Sequence, residues 1–270
     1  MTQLALLPAR AVLRLTGSDR VTFLNGLVSN DVALAAPGEA VWSALLTPQG
    51  KWLADFFILS DGAALLLDCD AAQAPAIAQR LSRFKLRADV AIETDDMAVY
   101  AAWDGEAPTG HVVAARDKRL PEAGWRVLSE IALAPNASFE DWDRHRLALG
   151  LPDGARDLEA DKTVLLEAGF DELGGVSWTK GCYMGQELTA RTRYRGLIKR
   201  RLLPVSGAVA LPPHGTPVMQ GEREVGEMRS SRGGVGLAVL RVDSLTGELV
   251  AGNVPLTARV PAWAKLPGAE

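Results

Sequence analysis

Residues 180–187 read KGCYMGQE, and this short stretch holds one of the two cysteines of a 270-residue chain. A buried cysteine usually has apolar neighbours, whereas Cys182 has Gly181 and Gly185 close by and Lys180 just ahead of it. The segment GQELTAR that follows contains good helix formers, so Cys182 is predicted to lie near a helix N-terminus. There the helix dipole and Lys180 would stabilise a thiolate, which favours a reactive thiol or a soft-metal ligand.

The second cysteine provides an internal comparison. Cys69 ends the apolar run ALLLDC, residues 64–69, and is predicted to be a structural core residue. Two cysteines so far apart do not form a disulfide framework. Since no Cys/His pair has the spacing of a closed zinc site, the only metal role expected is that of Cys182 as a transient cluster ligand shared with a partner.

Basic residues are concentrated around this cysteine. The chain has a formal net charge of −4, yet residues 178–201 contain seven basic residues and only one acidic residue, Glu187. Such a strip attracts an anionic ligand, or else forms a solvated helix face. Its basic residues are Lys180, Arg191, Arg193, Arg195, Lys199, Arg200 and Arg201. With Tyr194 as the only aromatic within that cluster of arginines, a nucleic-acid partner is not expected.

Strand and helix patterns alternate along the first 150 residues, which predicts an α+β fold. ARAVLRLTG reads as a strand, and AVWSALLTPQGKWLADFFIL as two strands joined by a turn at residues 48–50. Pro75 suits the first turn of a helix whose apolar face carries Ile77, Leu81 and Phe84. Ser138 begins an S-x-x-D capping pattern for a helix that Gly150 ends.

The chain is predicted to contain three units. The first is an α+β unit at residues 1–92, completed by residues 145–198, which carry KGCYMGQE. The second is a ferredoxin-like α+β unit at residues 93–144. From residue 199 to 270, short apolar runs with many glycines and prolines predict a small antiparallel β-barrel. No apolar run is long enough to span a bilayer and the first residues lack a signal-peptide pattern, so a cytoplasmic location without membrane attachment is expected.

The stretch KGCYMGQE resembles the K-G-C-[FY]-x-G-Q-E signature of the YgfZ/IBA57 family, the folate-binding, iron–sulfur-cluster-associated relatives of the glycine-cleavage T-protein. Other segments resemble the family in the same order along the chain: GSDRVTFLNGLVSNDV, LLTPQGKWLADFFIL and RLALGLPDG. The resemblance covers most of residues 10–200. It implies a T-protein-like fold, in which three units form a ring around a central channel and an antiparallel β-barrel lies at the C-terminus.

The resemblance also implies a ligand and site residues. A tetrahydrofolate or a derivative is expected in the channel, and Glu167 matches the acid of the T-protein's L-E-x-G pattern, which receives the pterin. Cys182 and Lys180 are the expected reactive pair. The remaining expected folate contacts are Asp55, Tyr183, Gln186, Glu187, Arg191, Arg193 and Arg195.

One departure from the T-protein pattern bears on activity. The acid pair of the T-protein's catalytic strand aligns with Ala54 and Asp55 in GKWLAD, so only one of the two acids is present. The favoured hypothesis is an accessory protein for the assembly or repair of iron–sulfur clusters, acting through Cys182 with assembly proteins and client enzymes as partners. The alternative hypothesis is an enzyme, a folate-dependent aminomethyl or methyl transferase.

Overall fold

The computed structural model of the chain describes residues 1–110, 112–196 and 198–266. Its strands form an open nine-stranded sheet and a closed six-stranded barrel. In chain order the strands are β1 (Gln3–Leu6), β2 (Arg10–Thr16), β3 (Glu39–Leu46), β4 (Trp52–Ser60), β5 (Leu65–Asp70), β6 (Ala91–Asp95), β7 (Ala98–Trp103), β8 (Val112–Asp117), β9 (Trp125–Ser129), β10 (Arg200–Ser206), β11 (Pro217–Gln220), β12 (Arg223–Arg232), β13 (Val235–Arg241), β14 (Leu249–Ala251) and β15 (Val254–Ala258). The α-helices are α1 (Arg20–Asn25), α2 (Ala74–Lys85), α3 (Phe139–Leu149) and α4 (Gln186–Arg195).

The open sheet has the strand order β1-β7-β9-β8-β3-β4-β5-β2-β6. Its two antiparallel halves meet at one short parallel pair, in which Glu39 and Ala40 of β3 face Arg116 and Asp117 of β8. Strand β1 pairs with β7, so the first strand of the chain joins the half formed by later residues. This pairing connects segments about 100 residues apart and could not be read from local sequence.

The predicted hairpin forms the centre of the sheet. Strands β3 and β4 are antiparallel, with Val41 opposite Ile58 and a bulge between Leu45 and Leu46. Almost every residue of both strands is buried, because the sheet is covered on both faces. One face packs against α1 and α2, and the other faces the core shared with residues 151–176 and the barrel.

Helix α2 confirms the predicted helix except at its end. Pro75 lies in its first turn, and Ile77 and Leu81 are buried. The prediction for Phe84 is wrong, since its side chain is 39% exposed and joins no core cluster. Periodicity identifies the face on which a side chain lies, but it does not indicate where the opposing sheet ends.

Helix α3 has the predicted caps. The Ser138 hydroxyl accepts from the Asp141 backbone N–H and the Asp141 carboxylate accepts from Ser138, which is a complete capping box. Gly150 ends the helix in the left-handed conformation, with φ of 79° and ψ of 24°. Residues 151–185 contain only short 3-10 helices and loops.

The C-terminal strands close into a barrel with the order β10-β13-β12-β11-β14-β15. Pairing of β10 with β15, at Val205–Ala258 and Ser206–Thr257, completes the closure. The predicted barrel unit extended to residue 270, and residues 267–270 lie outside the described part of the chain. In the described part of residues 93–144, loops and one 3-10 helix connect the strands, and α3 begins at Phe139. The three predicted units stay a prediction.

Candidate functional site

The two cysteines have opposite environments. Cys69 is fully buried on β5, and burial raises the pKa of its thiol to about 12. Cys182 is exposed on the loop that precedes α4. Helix α4 begins at Gln186, with Gly185 as its N-cap. Of the two thiols, therefore, only Cys182 is presented to a reactant outside the protein.

Lys180 anchors the loop that carries Cys182. Its ammonium donates hydrogen bonds to the backbone carbonyls of Asn25, Val28 and Asn30, at 2.6, 2.7 and 2.7 Å. Burial lowers the pKa of Lys180 to about 8, while the field of Asp31 acts in the opposite direction. An ammonium has three protons, and these three bonds use all of them. The geometry therefore indicates that Lys180 holds the loop in place. The predicted role of Lys180 was to stabilise the Cys182 thiolate.

Gly185 fixes the other end of the loop against the β3–β4 turn. It has a φ of +80°, and a Cβ built on it would lie 2.4 Å from the Thr47 carbonyl oxygen and 3.0 Å from the Cα of Gly50. A Cβ on Gly50 would in turn lie 2.6 Å from the Gly185 carbonyl oxygen. Only two glycines allow the two backbones to approach this closely. Thus KGCYMGQE and the predicted TPQG turn form one structural unit.

Two of the residues predicted to contact folate, Tyr183 and Gln186, interact with other groups of the protein in this loop. Tyr183 is only 8% exposed, packs in the main core cluster, and lies with its ring 5.2 Å from the Lys180 ammonium. Gln186 accepts a hydrogen bond through Oε1 from the backbone N–H of Tyr183 at 3.1 Å. In this conformation both side chains contribute to the structure of the loop.

The structure divides the basic strip into residues with different roles. Arg201 is fully buried and donates to the Leu166 carbonyl and to Glu172, at 2.7 Å each. Arg193 lies with its guanidinium 4.1 Å from the Trp178 ring centre and 3.8 Å from the Asp171 carboxylate. It lines a cleft of about 620 Å³ beside Trp263, separate from the cleft that contains Glu167.

The remaining predicted contacts on α4 are at the surface. Arg191 forms a 3.4 Å ion pair with Glu187, and both side chains are more than half exposed. Arg195 is exposed in the last turn of the helix. The structure therefore does not bring Arg191, Arg193 and Arg195 together with Glu167 into one folate channel.

Glu167 lies in a small cleft of about 150 Å³ between the loop region and the barrel. Burial raises the pKa of its carboxyl, although Lys51, Arg200 and Arg201 act in the opposite direction. Within the described chain no hydrogen bond or ion pair engages this carboxylate. Arg229, on the same cleft, is 6% exposed, and its Nε is buried without a partner among the described residues. Since the Arg229 guanidinium also pairs with Glu159 and Glu227, the carboxylate of Glu167 is the unpaired acceptor that this cleft offers to a ligand.

Asp55 is buried and its carboxylate is occupied. The indole N–H of Trp42 donates to Oδ2 at 2.8 Å, and that of Trp52 donates to Oδ1 at 3.0 Å. Burial raises the pKa of Asp55, and the Trp42 bond and the charge of Arg10 only partly oppose it. The geometry favours a structural role for Asp55 over the folate contact that the resemblance implies.

A buried network of charges, which the sequence reasoning missed, connects the parts of the fold. Asp68 on β5 receives Arg10 of β2 and Arg126 of β9, each at 2.6 Å. Arg146 of α3 donates to Asp157 and to Ser230 of the barrel, at 2.7 Å each. The sequence feature that could have indicated this network is the density of charge in the loop LPDGARDLE, residues 151–159. Charged residues in a loop are usually solvated, so this feature alone does not predict that they are buried. Because each buried charge has a partner, these ion pairs specify how helix, loop and barrel fit together.

Two features are absent from the residues that the structure describes. These residues contain no group of three or more His, Cys, Asp or Glu side chains arranged to hold a metal ion. Nor does any helix among them have the length and apolar character needed to cross a bilayer.

Comparison with known proteins identifies relatives that match most of the chain. It is 33% identical to the human "Iron-sulfur cluster assembly factor IBA57, mitochondrial" over 298 residues, which span 95% of this chain and 84% of the human protein. It is 35% identical to the IBA57 homolog of Mycosarcoma maydis, over 80% of this chain and 59% of that protein. Residues 199–266 match the family described as CAF17, C-terminal beta-barrel domain.

A solved structure shows the fold. The glycine cleavage system aminomethyltransferase T from Bartonella henselae superposes with a TM-score of 0.76, over 97% of this chain and 86% of that protein. The two sequences are only 14% identical, so this likeness concerns the fold alone. The predicted α+β, T-protein-like fold with a C-terminal antiparallel barrel is confirmed.

Proposed function

The chain belongs to the family of the iron–sulfur cluster assembly factor IBA57, and from this premise we propose that it assists the assembly or repair of iron–sulfur clusters through the thiol of Cys182. The observation that carries the proposal is the presentation of Cys182. It is exposed, while the residues around it are held by the Lys180 bonds and by the Gly185–Gly50 contact. A chain that holds an exposed thiol in a fixed position is suited to exchange a cluster with a partner protein.

In this proposal the cluster is cargo that passes between proteins. Thiolate sulfur is the preferred ligand of iron in such clusters, which usually need four protein ligands. Since no metal-holding group of side chains occurs in the described part of the chain, Cys182 would supply one ligand and an assembly protein or client enzyme the others. This arrangement favours a shared, transient site over a resident one.

The test is complementation in a strain that lacks its own copy of this protein. Activity of an iron–sulfur enzyme is measured under oxidative stress with the wild type, Cys182→Ala and the control Cys69→Ala. We expect wild type and Cys69→Ala to restore the activity and Cys182→Ala to fail, with an unchanged melting temperature for Cys182→Ala because its side chain is exposed. Full restoration by a well-expressed Cys182→Ala protein would refute the role of the thiol.

We further propose that the Glu167 cleft receives the pterin end of a tetrahydrofolate. The residues fit such a group: Glu167 has a carboxylate free to accept N–H bonds from an amino-pyrimidine edge, and the Nε of Arg229 has no partner among the described residues. The cleft, at about 150 Å³, is smaller than the roughly 300–1,000 Å³ of sites that enclose whole ligands, so it would hold only the ring system. Bound folate would supply a carrier for one-carbon units.

Folate binding is tested by titration with tetrahydrofolate. Glu167→Gln keeps the size of the side chain but removes the charge, and we expect its affinity to fall by roughly 10- to 100-fold, as for loss of a hydrogen bond to a charged group. Glu224→Gln is the matched control, because Glu224 is an exposed acid on β12 and is not among the expected folate contacts. Equal affinities of wild type and Glu167→Gln would remove Glu167 from the site.

The transferase alternative is less well supported. A transferase of the T-protein type would use an acid near the reactive nitrogens of the folate, and in this chain Ala54 replaces one acid while two indoles bind the carboxylate of Asp55. We therefore do not extend the proposal to one-carbon transfer by these residues.

A further inference from the structure

A groove between β4 and α2 is lined in part by Arg80, which contacts the loop that carries Cys182. It has a volume of about 250 Å³, and its lining residues are Leu45, Leu53, Ala54, Gln73, Ala76, Ile77, Gln79, Arg80 and Arg83. The amide nitrogen of Gln73 donates to the Leu53 carbonyl at 3.2 Å, whereas its Oε1 is buried and has no partner among the described residues. An unpaired buried acceptor is costly, so this oxygen points to a missing donor.

The helix beside the groove and the three residues after it are basic, up to the exposed Asp89. Residues 71–88 contain no Asp or Glu and four basic residues, Arg80, Arg83, Lys85 and Arg87, although the whole chain has a net charge of −4. Two large apolar side chains stand among them: Phe84 is 39% exposed and Leu86 is 90% exposed. Exposed apolar side chains within a patch of one charge are typical of a surface that binds a macromolecule.

One end of the groove touches the segment that carries the thiol. The guanidinium of Arg80 donates to the Leu46 carbonyl at 3.2 Å and lies 3.9 Å from the sulfur of Met184. Met184 follows Cys182 by two residues. A chain segment bound in the groove would therefore have one end close to Cys182.

We propose that this groove and the basic side of α2 bind an extended, acidic segment of the protein that exchanges a cluster with Cys182. A backbone N–H of the segment would donate to Gln73, its carboxylates would pair with Arg83 and Arg87, and its apolar side chains would pack on Phe84 and Leu86. The proposal rests on the proposed assembly function, since that function is what requires a partner at Cys182. A protein is favoured over a nucleic acid because Phe84 is the only aromatic side chain on this helix, too few for stacking bases.

The test uses two synthetic ten-residue peptides, one alternating Leu and Glu and the other alternating Leu and Lys. Each ends in a cysteine held as a mixed disulfide with thionitrobenzoate. The Cys182 thiolate attacks the peptide sulfur, a protein–peptide disulfide forms, and thionitrobenzoate leaves with the electron pair of the broken S–S bond, so its absorbance reports the rate. Cys69 does not compete, because it is buried and its pKa is raised to about 12.

We expect the acidic peptide to react on the order of 10-fold faster than the basic one, because docking raises the local concentration of its disulfide at Cys182. The difference should shrink in high salt and disappear in Arg83→Glu. Arg223→Glu is the matched control: it makes the same change in net charge on an exposed barrel residue and should keep the difference. A small mixed disulfide of mercaptoethanol should react equally with wild type and Arg83→Glu, which shows that Cys182 is intact.

Several outcomes would overturn the docking proposal. These are equal rates for the two peptides, acceleration that survives in Arg83→Glu, or loss of acceleration to the same degree in Arg223→Glu. A ten-nucleotide RNA and the acidic peptide without its disulfide are also compared as inhibitors of the reaction. If the RNA inhibits at the lower concentration, the surface is assigned to nucleic acid instead. If the proposed assembly function is wrong, the result is different: Cys182→Ala complements fully, and this result does not depend on the rates measured with the peptides.

Discussion

Replacement of Gly185 by alanine tests whether the contact between the Cys182 loop and the β3–β4 turn positions the thiol. The new Cβ would lie 2.4 Å from the Thr47 carbonyl oxygen, 2.9 Å from the Cβ of Leu46 and 3.0 Å from the Cα of Gly50. All three are backbone or Cβ atoms, so no flexible side chain can move aside. The loop or the turn must therefore shift.

The size of the effect follows from two separate terms. The left-handed conformation of Gly185 costs an alanine about 1 kcal/mol, and overpacking against fixed atoms typically adds about 1–3 kcal/mol. Gly196→Ala is the matched control, because Gly196 ends the same helix with a φ of +59° and no atom of the described residues lies within 4 Å of its Cβ position. We expect a loss of unfolding free energy of roughly 1 kcal/mol for Gly196→Ala and roughly 2–4 kcal/mol for Gly185→Ala.

Two measurements check this prediction. Urea unfolding followed by tryptophan fluorescence gives the stability, and the rate of Cys182 labelling by a small thiol reagent reports the position of the loop. Gly185→Ala should change both, and Gly196→Ala should leave the labelling rate as in the wild type. Equal losses of stability in the two variants, or an unchanged labelling rate in Gly185→Ala, would show that the close approach of the two backbones is not what holds the loop.

Two further predictions concern Lys180 and Asp55. Lys180→Met removes three hydrogen bonds to backbone carbonyls, and since the site is only partly buried we expect a loss of about 2–4 kcal/mol in urea unfolding together with faster protease cleavage of the loop; unchanged cleavage would argue against the anchoring role. For Asp55, burial raises the pKa in the folded state above its unfolded value, so the folded protein binds more protons in the interval between the two. Stability of the wild type should therefore fall, relative to Asp55→Asn, as the pH rises from about 4 through that interval. A difference between the two proteins that stays constant with pH, or that changes in favour of the wild type, would contradict this assignment.

The local sequence correctly predicted those structural features that contacts between neighbouring residues determine. The capping box of Ser138 and Asp141, the stop at Gly150 and the hairpin turn at residues 48–50 all appear where their residue types predicted them. Each of these features depends on contacts within a few residues, so the sequence contains the whole interaction. The same holds for Cys69, whose apolar strand predicted its burial.

The roles of charged residues could not be predicted in this way. Lys180 and Arg191 belong to one basic strip in the sequence, yet Lys180 binds three carbonyls from residues 25–30 while Arg191 is exposed on α4. Arg201 is fully buried against Glu172, one residue after the exposed Arg200. Whether a charge is solvated or paired depends on what the rest of the chain places beside it, and composition does not record that.

The sequence by itself determined the class of fold, the family resemblance of KGCYMGQE and the choice of Cys182 over Cys69 as the presented thiol. Only the tertiary structure decided that Lys180 anchors the loop, that two indoles occupy Asp55, and that Glu167 and the α4 arginines lie at different clefts. The physical reason is the range of the interactions. Periodicity, caps and turns act over a few residues, whereas hydrogen bonds and ion pairs in a folded chain join groups that are more than 100 residues apart.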